Sequence, residues 1–226
     1  MLKSKIVEVE NLRISQTKKM FSIMSKYYAN ISEVNFYNDL LNKAEVALFC
    51  DENREIRGFT TLAIFLHDDH TQHLFSVDTI IEKEYWGSND LSHAWINNAL
   101  SHAERFYGRT FWLLLTKGYK TYKFLPTFFN EFYPRFDTET QIEMQKIMDE
   151  FAINQFGDKY KNGVFIEGKD FLKDEFADIS KTNLKDDNVL FFLKKNPDYK
   201  KGDELSCLCE LSVNNLNKLG RRVLGK

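Results

Sequence analysis

Cysteine is scarce, at three in 226 residues. A small odd count excludes a disulfide scaffold and fits a reducing compartment. Proline is equally rare, also three, and no Pro-, Gly- or Ser-rich tract divides the chain into tethered modules. Neither sign of charge is in excess: Lys and Arg number 31 against 33 Asp and Glu, a net charge of -2. That excludes a global basic field for nucleic acid, and an acidic tail. No apolar run reaches the ~20 residues a membrane-spanning helix needs. The opening MLKSKIVEVENL lacks the apolar centre of a signal peptide. The expectation is a cytoplasmic protein with no membrane span and no nucleic-acid partner.

Aromatic side chains are abundant, with 20 Phe and 10 Tyr. A disordered chain does not carry so many, and the length suffices for one well-buried domain. We read residues 1–226 as a single α/β domain. A weak boundary near Asp137 divides a core of about 1–137 from an extension, 138–226, that packs on it.

The central stretch runs from His73 to Tyr107. Leu74 to Ile81 is apolar and β-branched, with Asp78 set inside it, and reads as a strand. Gly87 breaks the chain, and Ser88 is a suitable N-cap for a long helix. Leu91, Ala94, Trp95, Ala99, Ala103 and Phe106 recur on one face of that helix. A strand feeding a helix through a Gly turn aims several N–H groups at one place, a site for phosphate. Thr110 to Lys117 (TFWLLLTK) reads as a strand buried on both faces.

Before this unit come a strand at KIVEVE (5–10), helices over 15–28 and after Ser32, and two antiparallel strands at 45–50 and 57–66. HDDHTQH (67–73) reads as a solvated turn rather than a metal cluster. After the unit, Pro126 suits the first turn of a helix loaded inwardly by Phe128, Phe129, Phe132 and Tyr133. Thr138 and Gln141 form a capping box for a helix to about Phe156. NVLFFLK (188–194) and 205–211 read as a hairpin. Cys207 and Cys209 fall on one face of the second strand, as core thiols with no metal implied.

The order strand, two helices, three strands, Gly turn, helix, strand and short helix resembles the GNAT superfamily of N-acyltransferases over about 5–137. The stretches that carry the resemblance are TIIEKEYWGSNDL (79–91), RGFTTL (57–62) and FFNEFYPRF (128–136). It implies a GNAT-like mixed, mostly antiparallel sheet with helices on both faces. It also implies transfer of an acyl group from acyl-CoA, acetyl-CoA by resemblance, to an amine on a small molecule or a protein. The implied cofactor-binding residues are Thr79, Ile80, Ile81, Trp86, Gly87, Ser88 and Asn89, with Lys120 replacing a missing basic residue. The family turn has Arg or Gln before its Gly-rich loop. Here Trp86 holds that place, and Asn89 and Leu91 stand where small residues belong. Asp90 adds negative charge where a diphosphate would sit.

Acyl transfer needs a base, a donor to the thioester oxygen and an acid for the thiolate. Asp78 is the candidate base, since desolvation raises a carboxyl pKa towards neutrality. The equal alternative is a structural Asp bonded to backbone or facing solvent. The family's catalytic Tyr aligns with Phe129, so Tyr122 and Tyr133 are the candidate acids. Lys117, Lys120 and Lys123 recur every three residues, a face for CoA phosphates or for the acidic helix of an acyl carrier protein. Two further readings stay open: a non-catalytic GNAT-like binding module, and an enzyme using a carrier-protein or aminoacyl-tRNA donor.

Overall fold

The computed structural model describes residues 2–67, 69–76, 78–166 and 170–224. The chain begins with strand β1 (Lys3–Glu8), helix α1 (Ile14–Tyr27), the short strand β2 (Tyr28–Ala29) and helix α2 (Glu33–Leu40). Strands β3 (Glu45–Cys50), β4 (Ile56–Leu66), β5 (Thr71–Ser76) and β6 (Thr79–Ile81) follow. Next come α3 (Asp90–Arg105), β7 (Arg109–Thr116), α4 (Tyr119–Tyr122), α5 (Phe124–Phe128) and α6 (Ile142–Phe156). The remainder holds β8 (Tyr160–Lys161), β9 (Val164–Phe165), β10 (Phe171–Leu172), α7 (Asp174–Ala177), α8 (Asp187–Lys195), β11 (Glu204–Glu210) and α9 (Lys218–Val223).

The main sheet runs β1-β3-β4-β5-β7-β11-β9-β8, with β6 also paired to β4. Its neighbours are antiparallel except β5 and β7, which run parallel from Thr71↔Arg109 to Ser76↔Leu114. This is the expected architecture, a mixed, mostly antiparallel sheet with helices on both faces. The 138–226 segment supplies β11, which lies directly beside β7.

β7 shows why the apolar run reads as a strand buried on both sides. Phe111, Leu113 and Leu115 pack with Met144, Met148 and Phe151 of α6. Trp112 and Leu114 face the other way, onto Trp95, Ile96 and Ala99 of α3. Side chains alternate across a strand, so both faces must be apolar. α1 and α2 cover the α6 side of the first strands, with Met20, Ile23, Phe36 and Leu40 against Val46, Leu48 and Phe59. Cys207 and Cys209 both sit in the α3-side core.

Several local expectations are corrected. NVLFFLK is not a strand: it lies in α8, started by Asp186, whose carboxylate accepts from Asn188 N–H at 2.9 Å. Val189 and Phe192 are its buried residues, spaced by three as a helix requires. The residues after Phe128 are not helical. Phe129 and Tyr133 instead make single β-bridges to Leu216 and Leu208. α6 has Gln141 as N-cap with no side-chain cap bond, so the capping box does not form. The sequence GVFIEG (163–168) reads as a short strand; the strand present is Val164–Phe165, and Glu167 and Gly168 lie outside the described residues. The expected strand 74–81 is broken into β5 and β6, with Asp78 at the break.

Candidate active site

The break after Ser76 opens the sheet. β5 follows β7 up to Ser76↔Leu114 and then the two chains part. β6 turns to β4, with Gly58↔Ile81 and Thr60↔Thr79 in register. The end of β7 stays with β11, with Leu205↔Thr116. Gly58 makes the tight β4–β6 approach possible: a Cβ there would lie 2.6 Å from the Ile80 carbonyl oxygen. Between the parted strands lies a cavity of about 450 Å³.

The ladder decides which main-chain groups face this cleft. Thr61 N–H donates to Asp78 C=O at 3.0 Å, and Glu82 N–H donates to Arg57 C=O at 2.8 Å. Residues alternate along an antiparallel strand, so the groups of Thr79 and Ile81 point away from β4, into the cleft. The Trp86 indole N–H donates to the Ile81 carbonyl at 2.9 Å, as that direction requires. β6 is tied down from outside. Glu82 pairs with Lys26 of α1 and with Arg57, and the Tyr27 hydroxyl accepts from Lys83 N–H at 2.7 Å.

At the cleft mouth the chain turns through Gly87, at φ 85°, where a Cβ would meet nothing within 4 Å. α3 begins two residues past the turn, with Asn89 as N-cap and no side-chain cap; Ser88 is not the cap. Its first internal bond is His93 N–H to Asn89 C=O, at 2.9 Å. The first-turn amides are therefore not used inside the helix. Asp90 does not spoil this end. Its carboxylate is turned back, accepting from Leu2 N–H at 2.8 Å. Lys120 projects over the turn with its ammonium 3.8 Å from the Trp86 ring centroid. Burial, and then Lys83 close by, lower the Lys120 pKa. An added anion is thus favoured twice, by the helix end and by the paired lysines.

At the inner end of the cleft sits a ring of charge. The Lys117 side chain is mostly buried and donates to the Asp170 carboxylate at 2.5 Å and to the Asp170 carbonyl at 3.2 Å. Glu204 Oε1 is 3.3 Å from the same ammonium. Burial alone would lower the Lys117 pKa, but Glu204 and Asp170 outweigh it and hold it high. Glu204 must share that ammonium with Asp170, so burial prevails and its pKa is pushed up to about 7. Asp78 accepts no side-chain hydrogen bond among the described residues. Its pKa is raised to about 6, first by burial and then by Asp39, against Lys43 and Lys117. Burial also holds the Tyr28 hydroxyl protonated, among Lys117, Glu204, Asp78 and Asp170.

The structure brings together Asp78, Thr79, Ile80, Ile81, Trp86, Gly87, Ser88 and Lys120, all of which line the cleft. Asn89 is not in the lining, and the Ile80 side chain points into the α1-side core. Tyr122 and Tyr133 are displaced from it. Tyr122 is fully buried, with its hydroxyl donating to Pro134 C=O at 2.9 Å. Tyr133 lies in the α6-side core and opens on a separate depression beside Arg109 and Glu210. The Lys117, Lys120 and Lys123 face does not exist as an exposed basic surface. The Lys117 side chain is mostly buried, and Lys123 pairs with Asp186 at 2.6 Å. The surface expected to meet a carrier protein is reduced to Lys120.

Sequence reasoning missed Tyr28, Asp170 and Glu204. Glu204 had a weak signal, as the carboxylate opening an apolar strand. Asp170 had none.

No family model matches the sequence, and no curated protein sequence matches it. Solved structures do resemble the fold. The Trypanosoma brucei acetyltransferase is 14% identical, with a TM-score of 0.39, over 63% of this chain and 99% of that one. An Escherichia coli GNAT family N-acetyltransferase in complex with CoA is 11% identical, with a TM-score of 0.40, over 55% of this chain and 68% of its own. Arabidopsis thaliana NAA60, in complex with a bisubstrate analogue, is 11% identical, with a TM-score of 0.43, over 61% and 92%. These are distant likenesses.

Proposed function

We propose that this chain transfers an acyl group from acyl-CoA to an amine, with acetyl-CoA the donor implied by the family resemblance. The observation that carries the reading is the splay between β6 and β7, with cleft-facing main chain along one wall and a free helix end at its mouth. The pantetheine arm lies along β6, where Thr79 and Ile81 supply peptide groups. The diphosphate takes the α3 end, beside Lys120. Trp86 forms a wall, and its bond to the Ile81 carbonyl leaves the Ile81 and Thr79 amides for the thioester oxygen.

Asp78 removes a proton from the acceptor ammonium, and the freed nitrogen lone pair attacks the thioester carbon. A C–N bond forms, the oxyanion rests on a β6 amide, and the C–S bond then breaks. The departing thiolate takes the Tyr28 proton, the attacking nitrogen gives its second proton to the Tyr28 oxygen to leave the neutral amide, and Asp78 releases the first proton to solvent. A carboxyl with a pKa near 6 is mostly ionised at neutral pH yet basic enough to serve.

The test is thermal unfolding with and without acetyl-CoA, followed by assay of free thiol release. A ligand at a hundred times its Kd stabilises a native state by about 2.7 kcal/mol, a shift of several degrees in a chain of this size. No shift at millimolar acetyl-CoA would overturn the proposal.

A further inference from the structure

Beyond the ring of charge lies a second cavity of about 280 Å³. Met24, Asp78, Leu115, Lys117, Asp170 and Glu204 line both cavities, so the two spaces meet at Asp78. The remaining walls of the second come from the loop 30–32, α2, β5, the end of α6 and β9. Residues far apart in sequence thus close on one point behind the proposed donor cleft.

Its charges do not cancel. Asp39 pairs with Lys43 at 3.0 Å, and Asp170 with Lys117 at 2.5 Å. Asp78 and Glu204 remain in excess, and each lies within the other's field. Two carboxyls around one spot accommodate one added ammonium. The rest of the lining is led by four aromatic rings, Phe36, Phe75, Phe156 and Phe165, with Met24, Ile31 and Leu115 beside them and Asn30, Ser32 and Asn35 at one wall. Phe156 and Phe165 stack with centroids 4.4 Å apart, and Phe75 is 6.0 Å from Phe156. The cavity wall already holds an ammonium against such a ring, because Lys43 Nζ is 5.7 Å from the Phe75 centroid.

We infer that this second cavity is the acceptor site and takes a small primary amine with a compact apolar or aromatic body, its nitrogen at Asp78. The inference rests on the acyl-transfer reading and adds the class of acceptor. The size falls just below the usual range of small-molecule sites, roughly 300–1,000 Å³, which suits a small free amine. Polyamines are disfavoured, because a second ammonium would meet the Lys43 and Lys117 charges, whose carboxylate partners are already taken.

The experiment separates the two claims. Acetyl-CoA, phenethylamine, 2-phenylethanol, methylamine and spermidine are each added alone in thermal unfolding, then the amines are compared as acceptors by thiol release. Phenethylamine should raise the unfolding temperature, and the alcohol and methylamine at equal concentration should not. Its KM should lie at least about tenfold below those of methylamine and spermidine. Phe156 is half-buried at the end of α6, so Phe156→Ala should fold. It should raise the phenethylamine KM about tenfold and leave the acetyl-CoA KM unchanged. If methylamine or spermidine serves as well, or Phe156→Ala leaves the phenethylamine KM unchanged, the acceptor assignment is overturned while acyl transfer stands. If acetyl-CoA neither shifts unfolding nor releases thiol, the donor reading fails, and amine stabilisation alone decides whether the cavity binds apolar amines.

Discussion

The two sides of Asp78 are built from different materials. On the proposed donor side the cleft is lined by backbone: the peptide groups of Thr79 and Ile81, the Gly87 turn and the first turn of α3. On the proposed acceptor side the lining is side chains, among them Asp39, Lys43, Glu204 and four Phe rings. Backbone chemistry needs the right path and tolerates many residues along it. Trp86 can therefore stand where the GNAT turn has a basic residue without closing the cleft, whereas the proposed acceptor side depends on its side chains. The ring of charge at the junction is the part where a single substitution does most.

The largest effect is expected there. Lys117→Met leaves Asp170 and Glu204 without a counter-charge in a buried place, and should destabilise the fold by about 3–5 kcal/mol in denaturant unfolding. An unchanged midpoint would show that Lys117 does not hold the two sides together.

Next is a pH effect with opposite signs for stability and activity. The folded pKa values of Asp78 and Glu204 lie near 6 and 7, above the ordinary 3.8 and 4.5. Between about pH 4 and 7 the folded chain then holds more protons than the unfolded one. Stability contributed by these groups falls as pH rises through that window. Thiol release should rise over the same window, with its lower limb near pH 6, as Asp78 ionises. Asp78→Asn should raise the unfolding temperature at pH 8, because the amide buries no charge. A fall would mean that the ionised carboxylate is held by partners the structure does not show.

A smaller effect marks the cleft mouth. Lys120→Glu should weaken acetyl-CoA by about tenfold, less at high salt, and leave the acceptor KM unchanged. Weaker amine binding in that variant would blur the division between the two sides. Smallest is Trp86→Phe, which removes one N–H from the Ile81 carbonyl. It should change acetyl-CoA affinity by no more than about tenfold, since one neutral hydrogen bond contributes about 1 kcal/mol net.

The same division explains what could be read from the sequence. Strand and helix order and the Gly87 turn were legible because period and breakers act locally. The break within 74–81 was not, because both halves are apolar and only the pairing partner changes. α8 was misread because a seven-residue run rich in Phe and Leu suits either period, and Asp186 as N-cap was the overlooked signal. Tyr122 and Tyr133 were chosen by position along the chain, yet their side chains are used in packing. Glu204 and Asp170 reach the site only through the pairing of β11 with β7 and of β10 with β2, contacts between distant segments that no local pattern encodes.

The central claim is that the donor and acceptor spaces meet at Asp78 and that proton removal occurs there. The most direct measurement is acetyl-CoA affinity and thiol release for Asp78→Asn beside the parent chain. The account predicts unchanged acetyl-CoA affinity and turnover lower by about 10²–10⁴, the usual contribution of a positioned general base. Turnover within a few-fold of the parent, with the variant folded, would contradict it.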